Sequence, residues 1–320
     1  MKFDLKKISL KEINLDDDYF RLSDHRFDRK ELLDSLDRHG VLFPPAVVPN
    51  ETSFRILTGF RRISGAKEIG LEKIPVYILN NDIRVEEAFS FSIEENKTTR
   101  TLNLFEKATA LGRMEESGLR EDKIINTFMP LMGLQSSPRI KEDVSALLNL
   151  PENLVDFILF KNLAPKNFRH LKGISPPSLG FFENFVRTIL PSASDFIEVT
   201  KGLSDLSRKH DQEVKELARS LGIEAALALK EGKKERLEKI KKLIAAQKFP
   251  TLTKINQNLE KKVKNLESPP SLKISWDQTL ERSEVAIELD IREEKEFDRC
   301  LETLKSPKFK KTLKEILKNL

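Results

Sequence analysis

Apolar and polar residues in the first third of the chain follow two different periods. Leu32 and Leu36 recur at helical spacing, which predicts a helix with one buried face. Acidic residues open this segment and Gly40 follows it, so we expect a helix over residues 28–38 that ends at the glycine. A second helix is expected over residues 84–95, where apolar residues are again spaced for burial.

Three short apolar runs lie between those helices and predict β-strands, over residues 46–48, 54–57 and 74–78. The polar residues 50–53 join the first two strands as a hairpin or as close neighbours. The proline inside the third run has no amide hydrogen and therefore suits a strand start or an edge strand. Together these elements predict a small α+β unit that ends near Asn103.

The rest of the chain is predicted to be helical, except for a short tail. Residues 104–150 carry apolar positions at helical spacing, and residues 205–248 predict one or two long charged helices. Near the end, residues 272–276 and 285–291 alternate in polarity and predict two strands followed by terminal helices. Because two strands are too few for a stable sheet, this tail should dock on the middle domain or pair with a second copy of the chain.

Composition places the chain among globular proteins. Its 320 residues are 39% hydrophobic, enough to form packed cores in two or three domains. The single cysteine, Cys300, cannot form an internal disulfide, and the first residues lack the apolar stretch of a signal peptide. We therefore expect a cytoplasmic protein. No run approaches the length needed to span a bilayer, so no membrane partner is expected.

The net charge of +5 is modest, but basic residues crowd one segment, namely Lys230, Lys233, Lys234, Arg236, Lys239, Lys241, Lys242 and Lys248. Such a cluster can contact a nucleic-acid backbone, and we take Lys233, Lys234 and Arg236 as candidate DNA contacts. Interspersed glutamates at i to i+4 spacing support an alternative, in which the segment is a solvated helix face.

The most informative motif is Gly59-Phe60-Arg61-Arg62, which follows an apolar run and precedes a helical segment. A glycine at a strand-to-helix turn allows backbone amides, a helix N-terminus and two guanidinium groups to converge on phosphates. This motif alone is weak evidence. In the plainer alternative, Arg61 and Arg62 pair with surface acids and Glu95-Asn96 caps a helix end.

The order of the surrounding motifs resembles the N-terminal domain of the ParB family of DNA-partition proteins, whose fold is shared with sulfiredoxin. That family has a Gly-x-x-x-Pro-x-x-Val stretch, then Gly-Glu-Arg-Arg, then Glu-Asn-x-x-Arg. The matching residues here are Gly40, Pro44 and Val47, then Gly59, Arg61 and Arg62, and finally Glu95 and Asn96.

The resemblance implies a ligand, CTP with Mg²⁺, whose binding closes a dimer into a clamp on DNA. Carried over by position, Gly59, Arg61 and Arg62 hold the triphosphate. Glu95 and Asn96 hold the metal or phosphate oxygens, and Gly40 and Pro44 shape the pocket near the base.

Two departures from the family pattern limit that inference. Phe60 stands where the family has glutamate, which makes CTP hydrolysis doubtful and any enzyme activity at most that of a weak CTPase. Thr99 stands where the family has arginine, and Arg100 is next in line. An offset of one residue turns a helical side chain by about 100°, so whether Arg100 reaches the nucleotide is left open. Sulfiredoxin chemistry is excluded at this turn because the motif has no thiol.

The family's DNA-binding helix-turn-helix is altered in this chain. Pro130, Gly133 and Pro138 interrupt what should be a tight turn. Arg139 and Lys141 could still contact DNA from the helix that follows. The later residues 147–152 again match the family's Leu-Leu-x-Leu-Pro-Glu signature.

We therefore expect an α+β fold in four parts. They are a ParB/sulfiredoxin-like nucleotide-binding domain at 1–103, a degenerate helix-turn-helix domain at 104–200, a basic helical segment at 201–267 and a strand-helix tail at 268–320 that dimerises. The predicted function is a DNA-associated partition or nucleoid protein that uses CTP as a conformational switch. The alternative is a CTP-dependent protein adaptor that has lost DNA binding. The basic arm with which the family stimulates a ParA-type ATPase is not evident before Leu10, so that partner is left open.

Overall fold

A computed structural model describes residues 3–23, 29–80, 83–266, 268–282 and 284–319. The chain divides into two compact units, Met1–Ile197 and Glu198–Leu320. The domain boundaries expected near residues 103 and 267 stay predictions.

The N-terminal unit contains a four-stranded sheet, with strands β1 (Phe3–Ser9), β2 (Ala46–Asn50), β3 (Ser53–Ile56) and β4 (Lys73–Leu79). Their order across the sheet is β1-β4-β2-β3. β2 and β3 form the expected antiparallel hairpin, whereas β2 and β4 run parallel. β1 was not predicted from the sequence. Its Phe3 and Leu5 side chains are exposed, so the strand lacks a clear alternation of buried and exposed positions.

Pro75 shows why an interior strand can tolerate a proline. Of the two predicted positions for this proline, the edge strand is wrong, because β4 lies between β1 and β2, but Pro75 does lie near the start of β4. The amide of Tyr77 donates to Pro45 O at 2.9 Å, on the side of β2, and amides two residues apart point to the same side. The ladder with β2 begins only at Tyr77. The amide that Pro75 lacks is therefore not needed for a ladder hydrogen bond.

The N-terminal unit is otherwise helical. Its helices are α1 (Lys30–His39), α2 (Phe60–Glu68), α3 (Val85–Thr99), α4 (Leu104–Glu116), α5 (Glu121–Lys123), α6 (Met129–Leu131), α7 (Pro138–Ser145), α8 (Glu152–Phe160) and α9 (Pro176–Ile189). A π-helical turn, Ile124–Phe128, connects α5 to α6. Shorter 3₁₀ turns cover Leu10–Glu12, Ala146–Asn149, Pro165–Asn167 and Arg169–Leu171. Gly40 ends α1 with a φ of 68°, as its sequence position predicts.

The sheet and α2 share one hydrophobic core. Val47, Ile63, Ile74 and Val76 are fully buried within it. Ile63 belongs to α2, so burial of this side chain holds the helix against the sheet and fixes the position of the arginines in its first turn.

A long connection lies where the sequence predicts an interrupted helix-turn-helix, and the helix-turn-helix itself stays a prediction. Residues 132–137 separate α6 from α7, a connection longer than the turn of about three to four residues that such motifs use. Gly133 has a φ of 73°, and Ser137 caps α7 by accepting a hydrogen bond from the Ile140 amide. The connection therefore carries its own helix stop and start signals.

The C-terminal unit is entered along α10 (Ala193–His210), which crosses the boundary between the units. Its further elements are α11 (Val214–Ser220), α12 (Ile223–Ala228), α13 (Lys233–Lys248), α14 (Pro250–Lys264), β5 (Leu272–Trp276), β6 (Val285–Leu289), α15 (Glu294–Lys305) and α16 (Pro307–Asn319). The prediction of one or two long helices over residues 205–248 is wrong. Gly222, with a φ of 74°, separates α11 from α12, and residues 229–232 separate α12 from α13.

The two predicted C-terminal strands are confirmed as an antiparallel hairpin, β5 with β6. Leu272 of this hairpin packs in a small core with Leu266, Cys300 and Phe309. Lys262 on α14 pairs with Glu315 on α16 at 2.7 Å. The hairpin is therefore stabilised by helices of its own unit.

The expected α+β class is confirmed, with a mixed N-terminal fold, a helical middle and a small C-terminal hairpin with helices. Across the described ranges of the chain, no helix is long and apolar enough to cross a membrane.

Candidate functional site

A cavity of about 330 Å³ lies at the first turn of α2 and the C-terminal half of α3, a volume within the range of small-molecule sites. Its charged and amide-bearing lining consists of Glu31, Arg61, Arg62, Glu95, Asn96 and Arg100. Its apolar lining consists of Phe20, Leu22, Leu32, Phe43 and Phe60. The cavity thus combines three guanidinium groups and two carboxylates with aromatic and aliphatic surface.

Gly59 occupies the turn that leads into α2 and has a left-handed backbone, with φ 82° and ψ 23°. A Cβ atom at this position would lie 2.5 Å from the Cβ atom of Pro45. Both the backbone angle and the close approach therefore require glycine. The N-terminus of α2 has no side-chain cap, so its first amides are available to an anion.

Arg62 connects two walls of the cavity. Its Nη1 donates to the backbone oxygen of Phe43 at 2.7 Å, and its Nη2 donates to Glu95 Oε1. Both charged side chains are mostly buried. Arg62 does pair with an acid, as in the plainer alternative, but the acid is the glutamate of the third family motif. The pairing therefore brings two of the predicted site motifs into contact.

Arg100 reaches the same cavity despite its offset in sequence. α3 ends at Thr99, and Arg100 follows with an extended backbone, φ −166° and ψ 166°. Its Nη2 donates to Asn96 Oδ1 at 3.1 Å, and its Nη1 donates to the buried Glu106. Inside a helix, an offset of one residue would turn the side chain by about 100°. Arg100 lies beyond the end of α3, so this rotation does not apply to it.

Arg61 lies where several positive charges meet. Burial lowers the pKa of Arg61 below its ordinary value, and the guanidinium of Arg100 lowers it further, as does that of Arg29. Glu106 acts in the opposite direction. Arginine keeps its proton at any physiological pH, so an anion bound in the cavity would offset this repulsion.

The structure adds apolar residues that sequence reasoning missed. Gly40 and Pro44 do not line the cavity, but they flank the loop that presents Phe43, whose side chain is 72% exposed. Phe20 and Leu22 also line the cavity, and both side chains are buried. Phe43 lies between Gly40 and Pro44 in the sequence, so its place at the cavity could have been predicted from these two motif residues. Phe20 and Leu22 lie far from the motifs in sequence, and only the fold brings them to the cavity.

The predicted metal residues are engaged by arginines. Glu95 accepts from Arg62 and Asn96 Oδ1 accepts from Arg100, while Asn96 Nδ2 donates to Ser92 O at 2.8 Å. In the part of the chain that the structure describes, no three His, Cys, Asp or Glu residues are grouped as a metal site requires. One carboxylate and one amide are too few for a cation site made of protein ligands alone.

The two basic residues predicted on α7 have different environments. Arg139 is exposed. Lys141 is 9% exposed, and its Nζ lies 2.6 Å from Glu115 and 2.7 Å from Glu121. Burial lowers the pKa of Lys141, but hydrogen bonds to these two glutamates outweigh it and raise the pKa overall. These ion pairs neutralise the charge of Lys141, which disfavours a contact with DNA, and its assignment to DNA stays a prediction.

The three basic residues predicted on α13 also differ. Lys233 and Lys234 are exposed in its first turn. Arg236 is half-buried, and its Nη1 donates to Leu227 O at 2.8 Å, at the end of α12. This hydrogen bond connects two helices of the C-terminal unit, and the assignment of Arg236 to DNA stays a prediction.

Comparison with known proteins identifies the N-terminal part of the chain. Residues 4–97 match the family model described as the ParB N-terminal domain. This match includes every motif residue of the cavity except Arg100. The resemblance inferred from the sequence is confirmed.

The chain is also similar to curated and solved relatives. It is 25% identical over 190 residues to the chromosome-partitioning protein ParB of Myxococcus xanthus, covering 57% of this chain and 59% of the relative. It is 30% identical over 95 residues to the chromosome-partitioning protein Spo0J of Thermus thermophilus, covering 30% and 35%. A C-terminally truncated ParB of Caulobacter crescentus, solved with CTP-γ-S, is 21% identical with a TM-score of 0.27, covering 54% of this chain and 94% of that one. So low a score adds nothing to the argument.

Proposed function

We propose, on the premise that residues 4–97 are a ParB N-terminal domain, that the protein is a DNA-associated partition factor whose α2–α3 cavity binds CTP as a conformational switch. The observation that supports this most strongly is the convergence of Arg61, Arg62 and Arg100 beside an aromatic and aliphatic wall. A ligand suited to such a cavity carries several negative charges and a planar, largely apolar group. A nucleoside triphosphate has both features.

The phosphates would be bound by the first amides of α2 and by the arginines. Arg62 donates to Phe43 and Glu95 through two of its five N–H groups. A triphosphate would attract the same guanidinium and weaken its pairing with Glu95. Since Arg62 connects the loop before β2 to α3, nucleotide binding would change how those elements are held together. This is the conformational signal that the switch requires.

Mg²⁺ would enter with the triphosphate. The cation prefers oxygen ligands and commonly takes one or two carboxylates together with phosphate oxygens. Glu95 and Asn96 can supply a carboxylate and an amide oxygen, once the arginines that now hold them turn to the phosphates. Mg²⁺, when bound, neutralises phosphate charge and orients the phosphate chain.

We propose binding without efficient hydrolysis. Phe60 stands at the position of the family's glutamate and lines the cavity as an apolar residue. It packs against the core of the sheet. A carboxylate that could accept a proton is therefore absent at this position. CTP turnover should be slow, and Phe60→Glu is the variant that would raise it if the missing carboxylate limits the reaction.

DNA would be contacted by exposed cations, namely Arg139 on α7 and Lys233 and Lys234 on α13. The adaptor alternative is supported by one observation, which is that Lys141 and Arg236 are engaged inside the protein. Fewer basic side chains are then available to contact the phosphate backbone of DNA. A homodimer, association with the nucleoid and a ParA-type ATPase partner stay predictions of the resemblance.

The nucleotide proposal is tested by calorimetric titration of the full chain with each of the four ribonucleoside triphosphates and Mg²⁺. CTP should bind most tightly, and Arg62→Ala should weaken it by about tenfold or more, since a charge-assisted contact is lost. Lys73→Gln, which removes an exposed charge outside the cavity, is the matched control. Equal weak binding of all four nucleotides would exclude the CTP switch.

DNA binding is tested separately, by measuring duplex affinity at increasing salt. For the partition factor, affinity should fall steeply, and Lys233→Gln with Lys234→Gln should reduce the salt slope by about one per lysine that contacts a phosphate. The adaptor alternative requires no measurable duplex binding at low salt, with or without CTP.

A further inference from the structure

A second cavity, of about 270 Å³, shares two of its wall residues with the first. Arg61 and Phe60 line both cavities. The ionisable residues of the second cavity are Asp16, Arg21, Arg29, Arg61 and Lys67. Among the described lining residues, four cations face one carboxylate, and Glu68 outside the lining pairs with only one of the four, Arg29. These residues therefore give the cavity an excess of positive charge.

Arg29 is held in place but keeps an unsatisfied donor. Its Nη2 donates to Ser64 Oγ at 3.3 Å and lies 2.9 Å from Glu68. Its Nε is buried and has no hydrogen-bond partner among the described residues. Buried donors are nearly always satisfied, so an anion bound beside Arg29 would be stabilised by this donor.

The apolar walls strengthen any charge interaction in this cavity. Ile56 and Ile63 are buried beneath it. Electrostatic attraction is stronger next to such low-dielectric surface than in open water. Arg21 and Lys67 are exposed at the cavity, so an ion could enter without displacing the core.

We propose that this second cavity binds a small oxyanion of the phosphate class, and that its occupancy weakens nucleotide binding in the first cavity. The second part rests on the proposed function and follows from Arg61. One guanidinium cannot satisfy two anions fully, and two bound anions repel each other. The oxyanion is either free phosphate or pyrophosphate, or the phosphoryl group of a small metabolite. All three have the same recognition chemistry.

The binding part is tested without any nucleotide. Inorganic phosphate, pyrophosphate and glycerol phosphate are each titrated by calorimetry into the full-length Arg62→Ala chain, at ionic strength matched with sodium chloride. We expect saturable binding that Arg21→Gln with Lys67→Gln weakens about tenfold or more. The ion that binds most tightly distinguishes the free ions from the phosphomonoester. Lys73→Gln should change nothing.

Absence of saturable binding, or binding that Arg21→Gln with Lys67→Gln leaves unchanged, would overturn the proposal. The same titrations on the wild-type chain and on the Arg21→Gln, Lys67→Gln chain, in which Arg62 is intact, serve if Arg62→Ala does not fold. Both substituted side chains are exposed, so the fold should tolerate their replacement.

The coupling part is tested by measuring the Kd for CTP at increasing inorganic phosphate. Phosphate should weaken CTP binding more in the wild-type chain than in the Arg21→Gln, Lys67→Gln variant, because only the wild type retains the second cavity. Equal weakening in both would mean direct competition in the first cavity and would refute the coupling. If CTP does not bind at all, the proposed function fails, while oxyanion binding to the second cavity stays measurable.

Discussion

Substitution of Gly59 by alanine is expected to destabilise the N-terminal unit through two separable effects. The first is the left-handed backbone, which costs a residue with a Cβ atom about 1 kcal/mol. The second is the contact with Pro45, whose Cβ atom would lie 2.5 Å from the new one, whereas ordinary contacts begin at 3.4 Å. Moving the Pro45 loop away costs about 2 kcal/mol, as overpacking typically does. We expect a loss of about 3 kcal/mol in all.

Gly70→Ala is the matched control for the backbone effect. Gly70 has a φ of 79°, close to the 82° of Gly59, but a Cβ atom there would meet no other atom within 4 Å. The control should therefore lose only about 1 kcal/mol. The difference between the two variants isolates the contact with Pro45.

Urea denaturation measures both losses, because the aromatic residues report on the units separately. The two tyrosines, Tyr19 and Tyr77, lie in the N-terminal unit, and the single tryptophan, Trp276, lies in the C-terminal unit. With a slope of about 2 kcal/mol per molar urea, the tyrosine midpoint should fall by roughly 1.5 M for Gly59→Ala and roughly 0.5 M for Gly70→Ala. The tryptophan transition should not move. Equal shifts for the two variants would refute the account of the turn.

Three further predictions concern buried polar groups. Glu106→Gln should destabilise the N-terminal unit by about 3 kcal/mol, because it leaves the charge of Arg100 without its buried carboxylate partner. The tyrosine transition measures this loss of stability. A loss smaller than that of an exposed glutamate-to-glutamine variant would contradict the prediction. Asn256 Oδ1 accepts a hydrogen bond from Trp276 Nε1 at 2.8 Å. Asn256→Ala should therefore destabilise the C-terminal hairpin by about 1 to 2 kcal/mol and shift the tryptophan emission. An unchanged emission would contradict this prediction. Lys141→Met should lower stability by about 1 kcal/mol at neutral pH. The folded-state pKa of Lys141 is raised. The difference in unfolding free energy between wild type and Lys141→Met should therefore persist up to the unfolded pKa of about 10.4 and disappear as pH rises further. Loss of this difference at a lower pH would refute the prediction.

Local signals predicted the turns that organise the site. Gly40 and Gly59 both have positive φ values at helix boundaries, and a glycine between an apolar run and a helical segment is visible in the sequence. The hairpin of β2 and β3 was predictable for the same reason, because two apolar runs flank a polar turn. Such features depend on residues within a few positions of each other.

Features that depend on distant residues were not predictable in this way. Ion pairs with glutamates from α4 and α5 determine the burial of Lys141, and α12 determines the orientation of Arg236. A basic residue in a sequence does not reveal which acid it will meet. Strand β1 was missed because its apolar residues are exposed and show no pattern of a buried face. The strand forms through its pairing with β4, which is distant in sequence.

Hydrogen–deuterium exchange of the full chain with and without CTP and Mg²⁺ tests whether the nucleotide binds in the α2–α3 cavity, since it locates the ligand as well as detecting it. We expect slower exchange in the first turn of α2, around Arg61 and Arg62, and from Ser92 in α3 to Arg100 just beyond its end. At a CTP concentration that just saturates the wild-type chain, Arg62→Ala should reduce this protection. Protection confined to other helices, or no protection at saturating CTP, would contradict the assignment of the nucleotide to this cavity.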